Sequence, residues 1–211
     1  MTSTKSGLDR GLMPFAPVCP NPLPGLDYGA RRPFLTWSKP DLLGLIETSL
    51  RSDPPRMELA TLALEELTIR GKTGKARSLF AAAGLPPIEW LADARQAVAD
   101  ARLAPATGGR SRGRVYVILR WGYTAGRGTW GAYVGSTRKP VTTRYMQHRT
   151  GVRSARGLQK YGVEPLYSLM AGLNPFPGRE CEFRETRLHQ VLEGVIPRVS
   201  GDVLPDIAMA A

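Results

Sequence analysis

Five side chains in this sequence have the types and spacing to do acid–base and charge-neutralising work together: Tyr116, Tyr133, Arg144, His148 and Glu185. Tyr116 lies in a Val-, Ile- and Tyr-rich run, Arg114 to Trp121, and Tyr133 in a second, Trp130 to Ser136. Gly122, Gly126 and Gly128 between them are hairpin material. A turn centred near Thr124 and Ala125 sets Tyr116 opposite Tyr133, with both rings on one sheet face. Paired tyrosines in a hairpin are most often packing partners, so alone they carry little. Pro140 to Arg149 predicts a helix in which Val141, Arg144, Tyr145 and His148 share a face by i, i+3, i+4, i+7 spacing. A last predicted helix, Arg179 to Glu193, has Cys181, Leu188 and Leu192 as its apolar stripe, and Glu185 falls within it. A carboxylate on a buried face needs a partner, because an isolated buried charge is costly. A structural ion pair with an arginine and a metal ion in a cleft meet that need equally well.

The elements that must position these residues occupy the C-terminal half. The pattern reads as a β-hairpin, a helix over Pro140 to Arg149, a shorter one from about Ser154 to Tyr161, a third strand over Pro165 to Ala171, and the last helix. That order predicts an α/β unit over residues 111–202, a small antiparallel three-stranded sheet flanked by helices. Before it, residues 37–104 read as an all-helical unit. Ser38 and Asp41 resemble a capping box, Asp53-Pro54-Pro55 separates two helices, and Gly71 and Gly84 stop the second and third. Gly71-Lys72-Thr73 has the ending of a phosphate-binding loop, but Glu66 stands where that loop needs glycine, so a helix stop with basic residues accounts for it better. Pro105 to Gly113 reads as a linker, which predicts that residues 106–211 fold alone. Residues 1–36, with six prolines, read as an extended or disordered arm.

Charge narrows the partners. The chain of 211 residues carries 29 Lys and Arg against 18 Asp and Glu, a net +11. From Ala101 to Val163 there is no Asp or Glu while 13 Lys and Arg fall there, and aromatic residues are interleaved. So one-signed a stretch points to a phosphate-binding surface rather than an ordinary solvated face. Its candidate contacts are Arg114, Arg138, Lys139, Arg149, Arg153, Arg156 and Lys160. The two cysteines, Cys19 and Cys181, imply neither a zinc site nor a disulfide framework. Met1 to Val18 lacks the apolar core of a signal peptide, and no apolar run is long enough to cross a bilayer, so a soluble cytoplasmic protein is expected.

Several segments, taken in order, resemble the GIY-YIG nucleases. Val115-Tyr116 followed by Tyr133-Val134-Gly135-Ser136-Thr137 is similar to the two signature segments of that family. Arg144 follows Tyr133 by eleven residues, with His148 one turn later. Lys160-Tyr161-Gly162-Val163-Glu164 resembles the segment leading into the third strand, and Arg184-Glu185 with Leu188 resembles the catalytic-glutamate helix. Arg114 stands in place of the family's opening glycine, and the tail has Ser200, Gly201 and Asp202 where many members carry an asparagine.

The resemblance implies an endonuclease that hydrolyses phosphodiester bonds, with double-stranded DNA as its partner. It implies that Glu185 holds one divalent cation, Mg2+ or Mn2+, and that Arg144 clamps the phosphate with its planar fork of donors. Tyr116, Tyr133 and His148 are all candidates to take the proton from water. His189, on the polar side of its predicted helix, is expected to be an ordinary surface histidine. The alternative from another class is a basic nucleic-acid-binding protein that does not cut; it has no need of Glu185 on an apolar face. Either way, affinity for nucleic acid is expected to fall steeply as salt rises through the physiological range. A titration in which affinity does not change refutes the surface.

Overall fold

The computed structural model describes residues 15–103, 112–122 and 129–202. Part of the arm, most of the linker, the tip of the hairpin with Thr124 and Ala125, and the residues after Asp202 lie outside the described residues. Four helices come first: α1 (Lys39–Arg51), α2 (Met57–Ile69), α3 (Gly74–Ala83) and α4 (Leu91–Asp100). α1 starts where the sequence signals it: Ser38 Oγ accepts the Asp41 N–H at 3.3 Å and donates to the Asp41 carboxylate at 2.6 Å. α2 is apolar on almost every side and is correspondingly buried along most of its length. It ends because Gly71, at φ +66°, lets the chain reverse. The Lys72 N–H then reaches the Leu67 carbonyl at 2.8 Å and the Gly71 N–H the Thr68 carbonyl at 2.9 Å.

The second half is α/β. It runs β1 (Arg112–Trp121), β2 (Trp130–Thr137), α5 (Val141–Arg149), α6 (Leu158–Tyr161), β3 (Gly162–Pro165), β4 (Phe176–Pro177), α7 (Cys181–Glu193) and β5 (Val199–Ser200). The sheet has five strands rather than three, in the order β3-β1-β2-β5 with β4 pairing the start of β1. The central pairs β1–β2 and β1–β3 are antiparallel as expected, while the two-residue β5 runs parallel to β2. The third strand is also displaced: it ends at Pro165, and Tyr167–Leu169 form a 3-10 turn. The reason is the destination of two N–H groups. Tyr167 and Ser168 donate to the Glu58 carboxylate (2.9 and 2.7 Å) instead of to a neighbouring strand. Between its β3 and β4 pairings, β1 has a gap at Val115 that the Asn174 amide fills, accepting the Val115 N–H and donating to its carbonyl, both at 2.8 Å.

The helical and α/β units share one hydrophobic cluster, from Tyr28 through Ile88, Trp90 and Leu91 to Val117, Trp130 and Ile196. Polar contacts stitch the seam. Trp90 Nε1 donates to the Trp130 carbonyl, and Trp130 Nε1 to that of Pro86. The described part of the arm, residues 15–36, has no helix or strand but is strapped down. Arg70, held by the buried Glu66, donates to the carbonyls of Phe34, Leu35 and Trp37, which seats Phe34 in the core. A fragment of residues 106–211 alone would open this shared cluster to water. None of the helices among the described residues is long and apolar enough to cross a membrane.

The deepest contact across the seam joins two glutamates, 1% and 3% exposed. Glu164 Oε1 accepts the Glu58 N–H at 2.7 Å in the first turn of α2, while the Glu58 carboxylate takes the two N–H groups after β3. Each caps the other unit. Burial pushes Glu58 up to about 7, and burial together with Glu58 pushes Glu164 well above the carboxylate range. The pair therefore carries little charge below neutral pH, and Glu164→Ala relieves no repulsion there. It leaves a buried N–H without its acceptor, so it is expected to cost about 1–3 kcal/mol. Urea unfolding should show a lower midpoint at unchanged slope; an unshifted midpoint would mean the contact contributes nothing.

Candidate functional site

Strand alternation puts Tyr116, Ile118 and Arg120 of β1 on one face and Val115, Val117 and Leu119 on the other. The observed register pairs Tyr116 with Gly135 and Ile118 with Tyr133, so the two tyrosines are diagonal neighbours rather than directly opposed. They still share a face, because the pairing differs from the expected one by two residues, an even step. Their ring centroids are 6.0 Å apart. Gly135 makes this possible: a Cβ there would stand 2.5 Å from Tyr116 Oη and 2.8 Å from Tyr133 Cε1. Only glycine fits beneath both rings.

α5 covers this face. Tyr145, fully buried, donates to the Val163 carbonyl of β3, and one turn on His148 turns its ring toward both tyrosines, 5.8 and 5.5 Å between centroids. His148 Nε2 is 2.8 Å from Tyr116 Oη. Its Nδ1 is 3.1 Å from the Ala155 backbone nitrogen, which can only donate. The neutral ring must therefore carry its proton on Nε2, and Nε2–H donates to Tyr116 Oη. Burial, with Arg144 adding to it, pushes His148 down to about 4, so it is neutral at neutral pH. With Nδ1 occupied, His148 has no free lone pair with which to act as a base.

Tyr116 Oη accepts from His148 Nε2–H, and the neighbouring Arg144 guanidinium and Tyr133 hydroxyl favour its ionised form. Burial raises the Tyr116 phenol, and Arg144 is the largest opposing influence. Tyr133 has no such relief; burial, then Tyr116 and Glu185, raise it further. Glu185 on α7 is buried, 8% exposed, and its charge is felt by both tyrosines. Burial raises its carboxylate, the neighbouring Ser136 favours the charged form, and the charge of Asp202 opposes it. Tyr116, Tyr133, Arg144, His148 and Glu185 are thus brought together.

The basic residues divide. Arg138, Lys139, Arg153, Arg156 and Lys160 are exposed on the segments flanking α5 and on α6, and Arg114 is half-buried with its guanidinium beside the Arg138 carbonyl. Arg149 does not belong with them. It is buried, and its guanidinium donates to the carbonyls of Gly162 and Phe15, so it ties β3 and the arm to α5 and cannot reach a phosphate. His189 is likewise no surface residue. It is 6% exposed, with Nδ1 3.8 Å from the Glu193 carboxylate, because β5 and the tail fold back over that side of α7 and bring Gly201 onto its ring. Ser136 and Asp202, the neighbours that act on Glu185, are not singled out by the sequence. Ser136 sits inside a quoted segment, but Asp202 arrives only through the β5 pairing, which leaves no local pattern.

No protein-family model, curated protein or solved structure matches the chain. The site is therefore read from its own geometry.

That geometry makes a pH prediction. Between its ordinary value near 6.5 and its folded value of about 4, His148 is protonated in the unfolded chain and neutral in the folded one. Its contribution to stability is full above about pH 6.5 and is lost as pH falls through about 4, up to about 3 kcal/mol in all. Unfolding free energies measured from neutral to acid pH should fall less steeply for His148→Gln than for the wild type. Parallel curves would show that His148 is not buried neutral.

Proposed function

We propose that the chain is a divalent-metal-dependent endonuclease that hydrolyses phosphodiester bonds in duplex DNA, with a site of the GIY-YIG kind. The observation that carries this reading is the packing of Tyr116, Tyr133 and His148 on one sheet face, with His148 Nε2 bonded to Tyr116 Oη and the charges of Arg144 and the buried Glu185 both acting on that phenol. The small antiparallel core of β3, β1 and β2, with α5 and α7 packed against it, fits the same reading.

A buried carboxylate requires a counter-charge, and the two ways of supplying it can now be weighed. Among the described residues none of the ion pairs involves Glu185. A cation held by Glu185, with water filling its remaining positions, fits the habits of Mg2+, which commonly takes few carboxylates. Such an ion would neutralise phosphate charge and assist the leaving oxygen.

The protein's own groups divide the remaining work. Tyr116 acts as a phenolate, formed by loss of its proton to solvent before attack. Oη then takes a proton from the attacking water, whose oxygen bonds to phosphorus while the bond to the leaving oxygen breaks and solvent protonates that oxygen. The phenolate is stabilised before attack by His148 Nε2–H and by the charge of Arg144, so little reorganisation is needed. Arg144, half-exposed, presents its other donors to the non-bridging oxygens. His148 acts through Tyr116 and is a positioning residue.

Cleavage of supercoiled plasmid, linear duplex, single strand and RNA, with and without Mg2+, tests the reading. Glu185→Gln keeps size and removes charge, so it should abolish cleavage while sparing binding. Tyr116→Phe should lower the rate by about 10²–10⁴-fold, the usual worth of a general base. His148→Ala should lower it by about 10–100-fold, the loss of one hydrogen bond to a charged group. Cleavage by Glu185→Gln at the wild-type rate would show that the site is misplaced, and a larger effect at His148 than at Tyr116 would reverse their roles.

A further inference from the structure

The turn from α2 to α3 is short and its residues are unusual. Arg70–Thr73 join the two helices, with the reversal set at Gly71, and α3 packs chiefly on α1 and only briefly on α2. Two helices joined by a four-residue glycine turn, the second packed back on the helix before them, share the connectivity of a helix-turn-helix. α3 buries only Ala76 and Phe80 fully, four residues apart on one side. Leu79 is half-buried near them, and an arc of roughly 160° from Arg77 round to Lys75, at 100° per residue, is exposed. Gly74, Ser78 and Ala81 lie along the middle of that arc, with Lys75 and Arg77 at its two margins and Lys72 in the turn.

Its charge is mostly of one sign, Glu89 in the pocket it shares with Arg77 and Ala81 being the exception. Between Glu66 and Glu89 there is no acidic residue, while Arg70, Lys72, Lys75 and Arg77 all fall there. Arg70 is spent on the arm. Among the described residues no ion pair involves Lys72, Lys75 or Arg77. The face has no exposed aromatic or large aliphatic side chain, so it offers neither an anchor for a protein partner nor a wedge for a lipid surface. A slim, cationic helix of about 15 Å does suit the major groove of B-DNA, whose width of about 12 Å admits one helix with phosphates on both sides.

We infer that α3 is a second DNA-contacting element, a recognition helix that docks in the major groove with Lys72, Lys75 and Arg77 on the flanking phosphates. It deepens the proposed function by giving duplex DNA a binding site apart from the cleavage centre, and it shares with that proposal the nucleic-acid partner but not the chemistry. Pro86, just beyond α3, is bonded to Trp130 at the hairpin end of β2, so α3 has a fixed seat relative to the sheet. A helix seated there can set where the duplex crosses Tyr116.

The test uses the full chain carrying Glu185→Gln and a labelled duplex of mixed sequence, read by fluorescence anisotropy across a salt titration. Adding Lys72→Gln, Lys75→Gln and Arg77→Gln should weaken binding by about ten-fold or more and reduce the log–log salt slope by about 2.7, three phosphates at about 0.9 each. Ser78→Asp, which keeps all three cations and puts a negative charge mid-face, should weaken duplex binding in the same way. All these positions are exposed, and circular dichroism checks that the helices persist. Unchanged affinity and slope in the triple variant, no duplex binding by the parent chain, or tighter binding to duplex RNA or anionic vesicles than to duplex DNA would each overturn the inference. Wild-type protein that binds duplex through these residues yet never cuts would refute the nuclease reading and leave this one standing.

Discussion

Two buried glutamates each cap a backbone segment in the other half of the molecule, and the rest of the site hangs from that exchange. Glu164, on β3, accepts an N–H from the first turn of α2; Glu58, on α2, accepts two from the chain just after β3. β3 is thereby held to the helical unit. β3 in turn offers the Val163 and Gly162 carbonyls to Tyr145 and Arg149 of α5. α5 carries Arg144 and His148 to Tyr116. A chain of hydrogen bonds thus runs from the helical unit through β3 to α5, and on to the phenol oxygen. Each link lies where an unmet donor would be expensive.

The site itself works against a cost that burial imposes. The protein interior raises the phenols of Tyr116 and Tyr133 and the carboxylate of Glu185, all of which the proposed chemistry needs in charged or readily ionised form. Geometry offsets this unequally. Tyr116 has the His148 Nε2–H and the charge of Arg144 and Tyr133 lacks comparable help, so two chemically identical side chains on one face acquire different acidities. Ser136 favours the charged form of Glu185, while Asp202 sets a like charge beside it. The depressed His148 belongs to the same pattern, its proton position dictated by one backbone N–H from Ala155.

Much of this was legible in the sequence, for reasons that are local. Ser38 with Asp41 marks a helix start because the capping bonds span only three residues, and Gly71 marks a stop because few other residues tolerate its backbone angle. That Tyr116 and Tyr133 share a face survived a two-residue difference in register, since side chains alternate with period two. Arg144 and His148 share a helix face by spacing alone. Glu185 stood out because a charge inside an apolar stripe is anomalous wherever the stripe packs.

Tertiary structure decided what depends on residues far apart in the chain. His189 lies opposite the apolar stripe of α7 and reads as surface, but the chain at β5 and Gly201 covers it. Arg149 looked like one more cation in a basic stretch until carbonyls of the arm and β3 claimed it. The third strand stopped early because Glu58, more than a hundred residues away, took its N–H groups. The tautomer of His148, the difference between the two tyrosines and the partners of Glu185 are likewise properties of a three-dimensional neighbourhood. Local pattern determines which face a side chain presents; only the folded chain determines what meets it there, because hydrogen bonds and burial depend on distance in space and not along the sequence.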